Sequence, residues 1–134
     1  MSWDVHVVRL PEGVTSIDDL PDDYQSPPIG SLDYVVETIR VVVPEVDLSN
    51  PPWGILNGPT WSIELLVGRD DPVGSLLLEV RGSGDDVMEP IFLLAEAFGC
   101  EVYDTTQGAF LAGRQDTDGW HLFQRSRDWV ASQF

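Results

Sequence analysis

The chain has 134 residues, 43% of them hydrophobic, and its 23 Asp and Glu against seven Arg and no Lys give a formal net charge of -16. A negative field of this size repels nucleic acid and anionic membranes and attracts basic proteins, so we expect no nucleic-acid and no membrane partner. The length suits one domain over residues 1–134, and the hydrophobic content excludes a disordered chain.

The first ten residues and the cysteine content bear on the compartment. Residues 1–10 include Asp4 and lack the basic and long apolar regions of a signal peptide. No apolar stretch approaches the ~20 residues of a membrane span. The single cysteine, Cys100, has no partner for an internal disulfide. We therefore expect a cytoplasmic protein.

The N-terminal third predicts a strand, a loop and a helix. β-forming residues predict a strand over 3–10, whose exposed side the pattern leaves undecided. Residues 11–28 contain four prolines and the acidic pairs Asp18-Asp19 and Asp22-Asp23, which is typical of a long surface loop. Ser31 can cap a helix that runs to about Val43, where Pro44 stops it.

The middle of the chain predicts a hairpin. A short strand over 53–58 is followed by long strands over 60–67 and 73–81, joined by a turn at 69–72. If residue 63 faces residue 78, one face of the pair is wholly apolar. Glu64 and Glu79 then lie on the other face as diagonal neighbours.

The C-terminal third predicts a helix over about 86–98, for which Gly99 is the C′ residue. Strands are expected over 100–104 and 109–112. Six large apolar residues between Trp120 and Phe134 follow a helical pattern, and we expect this tail to dock on the body.

The order of these elements predicts an α+β fold, with a mostly antiparallel sheet, two helices packed on one face and a C-terminal helix. The outline is similar to a ferredoxin-like fold with an extra hairpin strand. Residues 113–134 form a docked C-terminal extension of the single domain.

No sequence motif predicts catalysis, a metal site or a cofactor. The segment 82–87 has the place of a dinucleotide fingerprint, but Val87 replaces its third glycine and acidic residues fill the helix N-terminus. In the calcium-loop pattern around Gly119, Arg114 and Arg125 would occupy ligand positions. Cys100 would need a nearby base to act as a nucleophile, and neither histidine belongs to a motif that would provide one.

The candidate site is therefore a surface for a basic protein partner, with a non-enzymatic role. A competing hypothesis is a small-molecule-binding or hydrolytic domain with a carboxylate-lined pocket between the sheet and the 11–28 loop, and a third is a homodimer joined through its sheet or its tail helix. The residues predicted to bind the basic partner are Asp18, Asp19, Asp22, Asp23, Trp53, Glu64 and Glu79.

Several segments carry a resemblance to a known class of protein. They are the Trp-led first strand, the acidic Pro-rich loop, Trp-Ser-Ile-Glu at 61–64, Leu-Glu-Val-Arg-Gly at 78–82 and Tyr-Asp-Thr-Thr-Gln-Gly-Ala-Phe-Leu at 103–111. With these segments the chain resembles small uncharacterised acidic bacterial α+β proteins, some of which resemble immunity proteins of toxin systems. The resemblance implies an acidic inhibitor of a basic partner.

The charge excess predicts that salt stabilises the fold. Between about 10 and 200 mM salt the Debye length falls from roughly 30 Å to below 10 Å, which screens the repulsion between carboxylates. We expect the melting temperature to rise over this range in chloride and in sulfate alike. A melting temperature that stays flat or falls in both salts contradicts a destabilising field.

Overall fold

The fold is built on one antiparallel sheet. The computed structural model describes residues 1–11, 14, 17–21 and 27–134. Within them lie short 3-10 turns at Ile17–Asp19 and Asp85–Val87 and three helices, α1 (Leu32–Val42), α2 (Met88–Phe98) and α3 (Asp118–Ala131). The strands are β1 (Trp3–Val8), β2 (Asp47–Asn50), β3 (Trp53–Asn57), β4 (Trp61–Leu66), β5 (Leu76–Gly82), β6 (Glu101–Asp104) and β7 (Ala109–Phe110).

The strand order across the sheet is β2-β3-β4-β5-β1-β6-β7, and every pairing is antiparallel. The elements β1, α1, β4, β5, α2 and β6 follow the β-α-β-β-α-β succession. The hairpin β2–β3 is inserted after α1 and extends one edge, while β7 extends the other. The predicted α+β class with an antiparallel sheet is confirmed.

One face of the sheet forms the core. Strand residues alternate between the two faces, and those on the core face are almost fully buried in every long strand. They pack against the buried sides of α1 and α2, which include Val35, Ile39, Ile91 and Leu94. The buried residues of the three central strands are Trp3, Val5, Val7, Ile63, Leu65, Leu76, Leu78 and Val80.

The two core helices end where their sequences predict, and α1 begins at the predicted cap, whereas α2 begins at Met88, after the 3-10 turn at Asp85–Val87. The Ser31 hydroxyl accepts a hydrogen bond from the Tyr34 amide at 3.2 Å and caps α1. Gly99 ends α2 with φ of +63°, a left-handed conformation that favours glycine. Pro90 lies in the first turn of α2, where its missing N–H costs no helical hydrogen bond.

The predicted register of β4 and β5 is wrong by two residues. Ile63 faces Val80, and Glu64 lies directly opposite Glu79. The connection is longer than a simple turn because Val73 leaves the hairpin and exchanges backbone hydrogen bonds with Ile29 and Gly30, each at 2.8 Å. A shift of two residues preserves the faces, so the apolar face is the predicted one.

The C-terminal helix α3 is docked on the body along one side. Trp120 is fully buried, with its ring 5.5 Å from Trp3 and 5.7 Å from Phe123, and its indole N–H donates to the Gly84 carbonyl at 3.1 Å. The predicted docking holds for Trp120 and Phe123. The other four large apolar residues of the stripe, Leu122, Trp129, Val130 and Phe134, are exposed.

Gly119 allows α3 to approach the sheet. A Cβ atom at this position would lie 2.0 Å from Oδ2 of Asp104. Asp104 is fully buried at the end of β6, and its Oδ1 accepts hydrogen bonds from the amides of Thr106 and Gln107 at 2.9 and 3.3 Å. The carboxylate is therefore held in place, and the helix passes it only because residue 119 has no side chain.

The contact predicts an unusual sign for a glycine substitution. Gly to Ala normally favours a helix by about 1 kcal/mol, but Gly119→Ala should destabilise this protein by about 1–3 kcal/mol through overpacking. The control is Gly74→Ala, where no described residue lies within 4 Å of the added Cβ and we expect a change within about 0.5 kcal/mol. Urea unfolding of both variants measures the difference, and a Gly119→Ala variant as stable as wild type contradicts the contact.

Candidate functional site on the open sheet face

The sheet face opposite the core helices, called here the open face, carries a row of mainly apolar side chains. The strand pairings place one residue of each strand at the same level, so the row crosses all seven strands, or roughly 29 Å at about 4.8 Å per strand. Two of its rings, Tyr103 and Phe110, are in edge-to-face contact at 5.1 Å. This apolar row consists of Asn50, Trp53, Leu66, Leu77, His6, Tyr103 and Phe110.

A second row, called here the acid row, lies two residues along the strands, about 7 Å away. It contains Asp47, Ile55, Glu64, Glu79 and Asp4, one from each of five neighbouring strands. Carboxylates directly opposite each other repel. The row therefore holds four negative charges beside the apolar row, on a face that the helices leave open.

Arg81 reduces the repulsion within the acid row. Its guanidinium lies 3.1 Å from Oε2 of Glu79 and 3.8 Å from Oε2 of Glu64. All three side chains keep contact with solvent, with 43% of Arg81, 33% of Glu64 and 24% of Glu79 exposed. One cation against four carboxylates leaves the row with a net charge of -3.

His6 lies in the apolar row between Leu77 and Tyr103. Burial lowers the pKa of the His6 imidazole, and the Asp4 carboxylate opposes this shift without cancelling it. The imidazole is therefore neutral at pH 7. It extends the apolar row and adds no positive charge to the open face.

The open face brings together three of the predicted partner-binding residues. Trp53, which is 38% exposed, belongs to the apolar row, and Glu64 and Glu79 belong to the acid row. Asp18 and Asp19 are exposed in the 3-10 turn that follows β1. Asp22 and Asp23 lie outside the described residues.

Several residues of this surface were not predicted from the sequence. Asp4, His6 and Tyr103 join it only because β1 lies between β5 and β6. The alternation in β1 indicated two faces but left the exposed one undecided. The strand order was the missing information.

The other potential sites offer fewer reactive or ligand-binding groups than the open face. Burial raises the pKa of the Cys100 thiol, which makes it a poor nucleophile at neutral pH. A cavity of about 470 Å³ lies between α1 and Pro51-Pro52, and Glu37 on its wall forms an ion pair with Arg40. Among the described residues, no cluster of three or more metal-binding side chains occurs.

Comparisons with known proteins add no assignment. No family model matches the chain, and neither the search of curated proteins nor that of solved structures gave a match. No helix in the described part of the chain has the length and apolar character to cross a membrane.

The position of His6 predicts a measurable titration. Because its pKa is lowered in the folded state, the unfolded state binds more protons below the ordinary value of about 6.5. The stability that His6 contributes is therefore present above pH ~6.5 and is lost as pH falls through the folded pKa. NMR titration, with His121 as the only other histidine, should place the His6 pKa below 6.5. A value of 6.5 or higher contradicts the described burial.

Proposed function

We propose that the protein is a non-enzymatic protein-binding domain that holds a basic partner on its open face. The observation that carries this proposal is the pair of parallel rows, one apolar and one acidic, on a face that no helix of the described residues covers. A bound protein can bury the apolar row while its Lys and Arg side chains reach the acid row. Such a combination of an apolar centre and charged surroundings is typical of protein interfaces.

The apolar row supplies the contact area. Leu66 and Leu77 lie side by side in the middle part of the row and are half-buried, and Trp53 next to Leu66 is more exposed. Tryptophan and tyrosine are common energetic anchors of interfaces. A partner that covers these side chains removes apolar area from water, which stabilises a complex.

The acid row supplies specificity and a fast encounter. The whole chain has a charge of -16, so its field draws cationic proteins from a distance and repels acidic ones. Arg81 pairs with Glu64 and Glu79, which reduces their mutual repulsion but leaves most of the negative charge available. The role that fits these properties is an inhibitor or immunity protein that covers a cationic protein, acting in the cytoplasm.

Differential capture tests this proposal. Wild type and two charge-matched variants are immobilised and exposed to the same native lysate at about 20 mM salt. The open-face variant combines Asp4→Asn, Glu64→Gln and Glu79→Gln. The control combines Asp33→Asn, Glu37→Gln and Glu45→Gln, three exposed positions on and after α1. We expect a basic protein retained by wild type and by the control, with association at least tenfold slower for the open-face variant.

Two further variants separate the parts of the surface. Leu66→Ser should accelerate dissociation of the captured protein about tenfold or more and leave its association rate nearly unchanged, because a short-range contact is lost and the field is not. Asp18→Asn with Asp19→Asn measures whether the 3-10 turn adds to the surface. If wild type, the open-face variant and the control retain the basic protein equally, the proposal is contradicted. Retention of small metabolites alone favours the competing pocket hypothesis.

A further inference from the structure

The helix α3 has an inner side that is fixed to the body. Trp120 and Phe123 pack there, and the Arg127 guanidinium donates to the Gly82 carbonyl at 2.6 Å and lies 5.6 Å from the Phe123 ring centre. These contacts occur at positions 120, 123 and 127, which share one side of a helix. The opposite side is therefore turned away from the protein.

That outer side carries large apolar residues. Leu122 and Trp129 lie two helical turns apart on one stripe and are 41% and 66% exposed. Val130 lies two turns after Phe123, at the border of the inner side, and is 37% exposed. A shallow recess of about 550 Å³ is lined by Arg125, Ser126, Trp129 and Val130. Contiguous apolar residues exposed in this way mark interaction sites.

The distribution of charge along the chain indicates which partner binds the outer side of α3. Residues 1–112 contain 20 acidic residues and four arginines, which accounts for the whole net charge of -16, whereas residues 113–134 contain three of each and are neutral. A basic partner is drawn to the rest of the chain and gains no attraction at α3. Two copies of this chain repel each other least when they meet through this segment.

We propose that the outer side of α3 binds the same side of α3 in a second copy, in an antiparallel, two-fold symmetric pair. The midpoint of Leu122 and Trp129 lies between residues 125 and 126, both of which are exposed. A two-fold axis at this point places Leu122 of each copy against Trp129 of the other. A surface that pairs with itself in this way is what a symmetric dimer requires.

The size of the contact sets its strength. A helix of 14 residues is about 21 Å long, and Trp129 alone exposes on the order of 150 Å². Such a pair lies at the small end of specific interfaces, below about 1,200 Å² in total. We therefore expect reversible dimers with a dissociation constant in the micromolar range or weaker. This inference is independent of the partner proposed for the open face.

Sedimentation of the full chain tests the pairing, from about 5 µM to 1 mM protein. The wild-type mass should rise from 14.9 kDa toward twice that value. Trp129→Ser should keep the monomer mass, whereas the matched control Trp53→Ser, which removes the exposed tryptophan of the open face, should dimerise like wild type. Because Trp129 is exposed, we expect Trp129→Ser to keep the wild-type melting temperature.

Salt provides a second readout that separates this dimer from binding at the acid row. Raising salt from about 50 to 500 mM screens the repulsion between two chains of -16 and should strengthen the dimer severalfold, whereas it weakens attraction of a basic protein. A wild-type protein that is monomeric at 1 mM in 500 mM salt overturns the inference. So does a dimer that Trp53→Ser dissociates and Trp129→Ser leaves intact.

A crosslink gives the position of the axis. In a Cys100→Ser background, Ser126→Cys places one thiol per copy next to the proposed axis, and Ser49→Cys places an exposed thiol on the edge strand β2. Mild oxidation should convert Ser126→Cys to a disulfide dimer at least tenfold faster than Ser49→Cys. Equal rates for the two variants overturn the antiparallel pairing.

Discussion

Two core helices on a seven-stranded sheet impose the constraint from which the rest of the structure follows. Both α1 and α2 contact one face, and each has 11 residues and a length of about 16 Å. Strand residues must point alternately to both faces, so every long strand also presents side chains to the open face. The helices cover the core face, whose buried strand residues are apolar apart from Asp104. The open face has to remain in water and still carries Trp53, Leu66, Leu77 and Tyr103 among its charges.

The alternation of residues along each strand predicts the two faces of the sheet. It does not predict which residues of different strands lie next to each other on the open face. For β4 and β5 the sequence pattern identifies the apolar face although the expected pairing is two residues out, because such a shift moves no side chain to the other face. The rows, by contrast, depend on which strands are neighbours. His6 lies between Leu77 and Tyr103 only because β1 is inserted between β5 and β6, and no local pattern in residues 3–8 contains that information.

The tail shows a similar limit. Trp120 and Trp129 belong to one helix and have the same chemistry, yet one is fully buried and the other is 66% exposed. Helical periodicity separates the sides on which they lie but does not say which side faces the body. That choice depends on contacts with residues distant in the chain. The Trp120 ring packs on Trp3 and its indole N–H donates to the Gly84 carbonyl. Gly119 has no side chain and so allows the helix to pass Asp104. The pattern predicted a docked helix and could not predict that four of its six large apolar residues stay exposed.

The distribution of charge indicates that the excess of acidic residues does not serve the stability of the fold. A net charge of -16 destabilises a compact chain through self-repulsion, and the structure compensates locally where carboxylates crowd, as Arg81 does for Glu64 and Glu79 and Arg114 does for Glu89 and Glu96. Segment 113–134 shows that the same chain tolerates a neutral stretch. Departures from what the fold alone favours are expected at functional surfaces. A sheet face that α1, α2 and α3 leave uncovered and that retains four carboxylates beside an apolar row is such a departure. A cationic, partly apolar partner would neutralise these carboxylates and bury the apolar row.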